Sequence, residues 1–273
     1  MVCDRLRVRL REPYGYVRAE AKALHRGESM SAERLAGLFR ERGPAVVLTG
    51  AGISTESGIP DFRSPGGLWA QFDPMDYGSI ESFRENPSRV WEFYAPRFSM
   101  LADAKPNPGH LALAELERLG HVTAVVTQNI DLLHERAGSH EVIEVHGSIR
   151  TATCPSCGRS HPLPDVLALL DGSGAPACKD CGAVIKPDVV FFGELLPEAA
   201  MQRAYELAGS TSLMLVVGSA LEVYPVAGLP LDTLRAGGAL AIVNRGPTAL
   251  DVKATLKLDG SAGEILPRVV DAL

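Results

Sequence analysis

Four short strings carry the residues best suited to chemistry, and each ends or follows a run that reads as a β-strand. They are Gly50-Ala51-Gly52 after Ala45–Thr49, Gln128-Asn129-Ile130-Asp131 after Val122–Thr127, His146-Gly147 after Val142–Val145, and Gly218-Ser219 after Leu213–Val217. In an open, mostly parallel α/β sheet, ligands bind outside the carboxyl ends of the strands. Glycines there let backbone close on a ligand, while amide, carboxyl and imidazole groups orient it and move protons. Together the four strings read as one nucleotide site with chemistry attached.

The stretch from Gly50 to Arg63 reads as a strand-to-helix phosphate loop. Gly50 and Gly52 admit a diphosphate, and the following helix N-terminus adds amide donors and a favourable dipole. It is not G-x-G-x-x-G, since the third position falls on Thr55 and the next glycine is Gly58, so a plain tight turn is the alternative. Asp61-Phe62-Arg63 sets a ring between an anion and a cation, which suits a flap over an aromatic, charged ligand. His146 is one of seven histidines, and a hydrogen-bonded structural role is its alternative. Its place at the sheet edge, among the other strings, makes it the histidine best set to face a ribose; His134 reads as a supporting residue at a helix start. Asn129 and Asp131 can cap a helix, yet Gln128 to Asp131 holds more polar capacity than one cap needs.

Cys154-Pro-Ser-Cys157 and Cys178-Lys-Asp-Cys181, with twenty residues between the pairs, fit a tetrahedral Zn²⁺ site of four thiolates. Four thiolates leave no open position for water or substrate, so the metal is expected to be structural. The fifth cysteine, Cys3, lies in the N-terminal tail. This usage favours a reducing compartment over a disulfide scaffold.

The elements that must position these residues are legible in the rest of the chain. Its 273 residues suit one large α/β domain with a small module, and 46% hydrophobic with 22% charged residues is an ordinary globular composition. A net charge of −6 argues against a nucleic-acid surface, and no apolar run approaches the ~18 residues of a membrane span. The first 29 residues differ: seven Arg and Lys oppose four acids, a net +3 that leaves −9 for the remainder. They read as a solvated extension, with an arm for an acidic partner as the alternative. A helix is expected from Ser31, stopped by Gly43-Pro44, and another over His110–Leu119 after Pro106-Asn107-Pro108-Gly109. With Val189–Phe192 and Ala239–Val243 as further strands, the alternation predicts a right-handed, doubly wound parallel sheet. Two stretches interrupt it: an aromatic-rich, helical Ser64–Lys105, and Arg150–Ile185 with the paired cysteines.

Taken in order, Gly50 to Arg63, Thr127 to Asp131, His146-Gly147, the paired cysteines, Lys186 to Glu194, Gly218 to Leu221 and Val243-Asn244 resemble the motif series of the sirtuins. That family comprises NAD-dependent protein lysine deacylases. The resemblance implies a Rossmann-like NAD-binding domain over 30–148 and 186–273, with a helical insertion at about 64–105. It also implies a zinc-binding module over 149–185, a structural Zn²⁺, and acyl-lysine proteins or peptides as partners. Ala51, Gly52, Ser54 and Thr55 would then hold the diphosphate, with Arg63 near phosphate or ribose. Asp61, Phe62, Ile130 and Asp131 would frame the nicotinamide, and Gln128 and Asn129 would bond its ribose. His146 would be the general base, acting with Asn129 and Asp131. Gly218, Ser219, Ala220, Asn244, Arg245 and Ala262 would line the adenosine side. Val189, Val190, Phe191, Phe192 and Gly193 would pair with the peptide as an added strand. A base titrating at about 6.5, as histidine does, suits removal of a proton from a ribose hydroxyl during transfer of the acyl group to ADP-ribose. Leu132, Ser219-Ala220 and Lys186 depart from the commonest family pattern.

Protein mono-ADP-ribosyl transfer is the rival activity, and an NAD-sensing zinc-ribbon adaptor the rival of another class. The reading is of a cytoplasmic monomer that meets neither membrane nor nucleic acid. Tyr94 and Arg97 raise a question of acyl chain. Spaced three apart, they share a helix face and can jointly bind a carboxylate, resembling the Tyr-x-x-Arg of the succinyl- and malonyl-removing sirtuins. Alternatively Tyr94 packs with Trp91 and Phe93, Arg97 is a solvated charge, and Pro96 bends or ends the helix between them.

Overall fold

The computed structural model describes residues 30–62, 64, 66–170 and 174–273. The elements are α1 (30–42), β1 (Ala45–Thr49), a 3₁₀ turn (Ala51–Ser57), α2 (Pro74–Tyr77), α3 (Ile80–Glu85), α4 (Pro87–Asp103), α5 (Pro108–Arg118), β2 (Val122–Thr127) and α6 (Leu133–Ala137). They continue with β3 (Val142–Glu144), β4 (Gly147–Thr153), β5 (Ser160–Pro162), α7 (Leu163–Leu167), β6 (Lys186–Val189) and α8 (Glu198–Ser210). The chain ends with β7 (Leu213–Val217), α9 (Leu229–Arg235), β8 (Ala239–Val243), β9 (Leu256–Leu258) and α10 (Ala262–Ala272).

A six-stranded sheet runs β3-β2-β1-β7-β8-β9 with every pair parallel. β1, β7 and β8 are buried at every position, which is why their sequences are continuous apolar runs without alternation. Alternate residues face opposite layers. Val47, Leu215 and Ala241 pack under Leu35, Leu113 and Leu266, whereas Leu48, Val216 and Ile242 meet Ala204, Leu207 and Leu229.

The segment from Ser64 to Lys105 does not form one helix. Asp73, Ser79 and Asn86 each cap a new one with a side-chain oxygen, and Pro74 and Pro87 begin α2 and α4. α4 runs through Pro96 without ending there. This helical segment and the cysteine segment share a third core, in which Trp91, Phe98, Ile149, Leu163, Ile185 and Phe191 pack together. The Trp91 indole N–H donates to the Ile185 carbonyl at 2.9 Å, tying the two segments by a buried bond.

One expected strand is different. Val189–Phe192 does not join the large sheet; the strand is Lys186–Val189, antiparallel to β4 in a small β5-β4-β6 sheet. Beyond it Phe191 is buried in the third core while Phe192 is exposed, so the apolar run does not continue as a pleat. β9, only three residues long, adds an edge strand beyond Ala239–Val243.

Gly218 closes the sheet's functional end. Its φ of +62° is left-handed, and a Cβ there would lie 2.2 Å from the Ile53 backbone nitrogen. Gly218→Ala should therefore cost at least ~2 kcal/mol, combining left-handed strain with a backbone clash. A thermal melt lowered by at least about 5 °C is expected; an unchanged melting temperature would show that the two loops are not packed as described.

Candidate active site

β1 and β7 are neighbours, but β1 leads toward β2 on one side and β7 toward β8 on the other. Their carboxyl ends thus bound a switch-point crevice, the general ligand site of such sheets. The loops following them meet directly: Gly50 N–H donates to Val217 C=O at 3.1 Å and Gly52 N–H to Gly218 C=O at 2.9 Å. A Cβ on Gly52 would come within 2.8 Å of Gly218, so this approach requires glycine. The Gln128 amide spans the crevice, donating to Ser219 Oγ at 3.0 Å and to Thr49 C=O at 3.3 Å.

Beneath the crevice lies a buried polar network. The Ser54 hydroxyl donates to Asp131 Oδ2 at 2.7 Å, and the Asn129 amide donates to Ser54 Oγ and Gly50 C=O, each at 3.1 Å. Asp131, 4% exposed, also accepts the Leu133 N–H at 2.9 Å. Burial pushes its carboxyl up, opposed by these bonds and by Arg136. His110 Nδ1 accepts the Asn107 N–H at 3.4 Å, so a neutral ring presents its Nε2–H to Ser54 Oγ at 3.5 Å. His134 Nε2 meets Thr49 Oγ1 at 2.9 Å, and that hydroxyl donates to Thr127 Oγ1 at 2.8 Å. The two imidazoles stand edge-on, 4.9 Å apart. Burial pushes His110 down to about 4, and burial with His110's proximity pushes His134 down to about 3. Both rings are neutral at pH 7. His110 was not among the residues singled out from the sequence, though its capping-box spacing after Asn107 was a local signal.

His146 follows β3 and precedes β4. Its Nδ1 lies 3.0 Å from Gln128 C=O, which can only accept, so Nδ1 carries the proton and Nε2 keeps its lone pair in the neutral ring. Gly147 follows with φ +74°, and a Cβ there would fall 2.1 Å from Asp188 C=O. Val190 N–H donates to His146 C=O at 2.9 Å, so β6 and its continuation are tied to this histidine.

The remaining expected residues divide. Asp61 accepts the Ser64 N–H at 2.9 Å, and Phe62 stacks on Trp69 at 5.8 Å, which draws this part of the flap onto the helical segment. Arg63 lies outside the described residues, as do residues 1–29 with Cys3. The Asn244 amide turns back onto Arg245 C=O and Gly246 C=O, while exposed Arg245 lies 3.9 Å from Glu264. Ala262 begins α10, with its methyl buried in the core where that helix meets Gly109 of α5. Thr55 donates to Gly52 C=O at 2.9 Å, and Ala220 C=O accepts from Ala249 N–H at 3.0 Å. Phe192 is not a free edge: its N–H donates to Gly78 C=O at 2.8 Å and its C=O accepts from Ile80 N–H at 2.9 Å.

Tyr94 packs between Phe98 and Phe191, at 5.3 and 5.5 Å, and meets Phe93 at 5.1 Å. Burial pushes its phenol up, with Arg97 opposing. Arg97 is half-buried and engaged, not a solvated charge. Its guanidinium donates to Phe93 C=O and lies over the Phe93 ring at 3.6 Å and the Phe72 ring at 5.2 Å.

The four cysteine Sγ atoms all lie within 4.8 Å of one another, with 3.5 Å between Cys154 and Cys181 and 3.7 Å between Cys157 and Cys178. A tetrahedral Zn²⁺ with Zn–S of about 2.3 Å needs sulfurs about 3.8 Å apart, so the set fits. The two halves repeat one geometry. Gly158 N–H bonds Cys154 C=O at 2.9 Å and Gly182 N–H bonds Cys178 C=O at 2.8 Å, with left-handed φ at both glycines.

Two outcomes follow from this geometry. Replacing Cys178 or Cys181 with Ser should lose about one zinc per chain by atomic absorption and lower the melting temperature, activity falling as a consequence; a metal-free protein with unchanged melting would contradict a structural role. The buried neutral histidines have folded pKa values below their unfolded ~6.5, so their stabilisation is present above that value and lost as pH falls toward 4. Asp131 and Glu144, both pushed up by burial, act in the opposite sense nearer the carboxylate range. The urea midpoint should therefore fall between pH 7 and pH 5.5, and a flat or rising midpoint would contradict the neutral pair.

The Sir2 family model matches residues 50–225. The NAD-dependent protein deacetylase 1 of Pyrobaculum aerophilum is 45% identical over 241 residues, covering 88% of this chain and 94% of that protein. The NAD-dependent protein deacetylase of Thermotoga maritima is 45% identical over 86% of this chain and 95% of its own. Among solved structures, a Sir2 with a deacetylated p53 peptide and 3′-O-acetyl-ADP-ribose superposes with TM-score 0.84 at 44% identity, covering 87% of this chain and 96% of that one. Sir2Tm bound to a propionylated peptide gives 0.80 at 44% identity, with the same coverage. On this evidence the chain belongs to the Sir2 family.

Proposed function

We propose that this chain removes acetyl groups from protein lysines with NAD as co-substrate and one solvent water consumed, releasing free lysine, nicotinamide and O-acetyl-ADP-ribose. The observation that carries the reading is His146 held as the Nδ1–H tautomer beside Gln128, with Asn129 and Asp131 beneath the same crevice. NAD supplies an electrophilic ribose carbon once nicotinamide departs, and the acyl oxygen of the substrate is the group that captures it. The chain's own part is orientation and proton transfer. Gln128 and Asn129 offer amide groups to the ribose. The buried Asp131, kept in place by Ser54 and Leu133 N–H, fixes the loop around the nicotinamide side. His146 Nε2 takes a proton from a ribose hydroxyl, and the acyl group ends on ADP-ribose, which makes the step formally a transfer.

The residues at 30–148 and 186–273 form the NAD-binding part and 149–185 the zinc-binding part of this reading. The flap at Asp61 and Phe62 closes over the nicotinamide, and Gly218, Ser219, Ala220, Asn244 and Arg245 border the adenosine. The peptide pairs with the Val189–Gly193 segment through the Val190 C=O and Gly193, because the Val190 N–H and the ladder groups of Phe191 and Phe192 are already taken. Four free thiols in one metal set suit a reducing, cytoplasmic setting, and the protein acts as a monomer. Among the described residues no helix is long and apolar enough to cross a membrane.

Incubation of the protein with an acetyl-lysine peptide and NAD should release one nicotinamide per lysine freed. His146→Ala should lower turnover at least about 100-fold while changing NAD affinity less than about threefold. Retained turnover within about tenfold would remove His146 as the base, and a peptide mass gain equal to ADP-ribose would favour ribosyl transfer. The engagement of Arg97 with Phe93 also sets an acyl preference. Succinyl-peptide should turn over more slowly than acetyl-peptide, and Arg97→Met should leave that ratio within about threefold; a selective loss of succinyl turnover would instead establish Arg97 as a carboxylate ligand.

A further inference from the structure

Lys186 opens β6 at the rim of the small sheet, and its side chain is only 16% exposed. Its Nζ makes three contacts that match the three protons of an ammonium: Glu194 Oε2 at 2.9 Å, Val189 C=O at 2.9 Å and Pro187 C=O at 3.1 Å. It also stands 4.4 Å from the centroid of the Phe191 ring. Glu194 in turn accepts the Phe191 N–H at 2.8 Å, and its own N–H donates to Phe191 C=O at 3.0 Å. One cation therefore closes the loop from Pro187 to Glu194 at both ends.

The same contacts reach the active site through a single peptide plane. The Val189–Val190 peptide gives its C=O to Lys186 and its N–H to His146 C=O. Pulling on one side of this plane sets the other. Gly193, at φ +87°, lies against Glu81, and Phe192 is bonded to the 78–80 segment, so the far end of the loop is held from the α2–α3 side.

We propose that Lys186 is a positioning residue for the substrate: with Glu194 it holds the Val189–Gly193 backbone in the conformation that receives an acylated peptide, and registers that segment to His146. This rests on the reading above in which Val189–Gly193 pairs with the peptide. Lys186 touches neither cofactor nor reacting atoms, so its loss should appear in peptide recognition and leave NAD handling intact.

The test is steady-state kinetics of the zinc-loaded protein with an acetyl-lysine peptide. Lys186→Met should raise the peptide KM about tenfold, with kcat within threefold and the NAD KM within twofold. Lys186→Arg, which restores the charge, should return the peptide KM to within threefold of the original. Adding Glu194→Gln to Lys186→Met should raise KM no further, because the pair acts as a unit; this double variant also lacks the stranded carboxylate and serves if the single one folds poorly. A peptide KM within twofold of the original, or equal losses in peptide KM, NAD KM and kcat, would overturn the proposal. A parallel series with peptides N-methylated beside the acyl-lysine separates the two claims. If the unmutated protein binds methylated and plain peptides alike, the backbone-pairing reading falls and the proposal with it; if it discriminates tenfold but Lys186→Met binds the plain peptide normally, only the role of Lys186 falls.

Discussion

One backbone carbonyl decides which nitrogen of His146 can act. Gln128 C=O accepts at Nδ1, and the carbonyl is itself fixed by the sheet, since Gln128 N–H donates to Thr49 C=O at 3.0 Å and Val145 N–H to Thr127 C=O at 3.1 Å. The base is thus oriented through the ends of three parallel strands, β1, β2 and β3. A neutral oriented imidazole can take a proton and return it without charge at rest. Everything else at the site is arranged so that this ring, the crevice and the flap keep their distances.

The polar network below the crevice meets a demand that the chemistry creates. A site able to bond a ribose and a nicotinamide needs polar groups under a sheet whose strands are otherwise apolar, and buried polar groups are costly unless paired. Ser54 meets this by accepting from Asn129 and donating to Asp131, and His110 closes the arrangement from α5. Neutral histidines suit the position, because a cation there would lie in a water-poor layer beside a second imidazole. The zinc-binding segment contributes at a distance: it shares a core with the helical segment, and through β6 and Val190 it reaches the backbone of His146.

Much of this was legible in the chain. Ala45–Thr49, Leu213–Val217 and Ala239–Val243 announced themselves because strands buried on both faces are unbroken apolar runs, and the cysteine pairs because metal-ligand spacing is local. The placement of Gly50, Gln128, His146 and Gly218 at strand ends followed from the general rule for parallel sheets. What was not legible depends on long-range contact. Val189–Phe192 looked like a sheet strand because apolar sequence alone does not say whether it faces a pleat or a loop core. β9 is too short and too near the edge to carry a pattern. His110, Thr49 and Lys186 carry weight only through partners that sequence spacing does not reveal, and Arg97 follows Phe93 by a helix turn in a way that Tyr-x-x-Arg spacing cannot distinguish from a carboxylate clamp.

The tautomer of His146 is the point on which the account turns, and ¹⁵N NMR of histidine-labelled protein, with His146→Gln to assign the signal, measures it directly. At pH 8, with both substrates absent, the account predicts a protonated Nδ1 and an unprotonated Nε2 for His146. A protonated Nε2 with a bare Nδ1, or a ring still doubly protonated at that pH, would contradict it, because neither leaves the lone pair where a ribose hydroxyl must give up its proton.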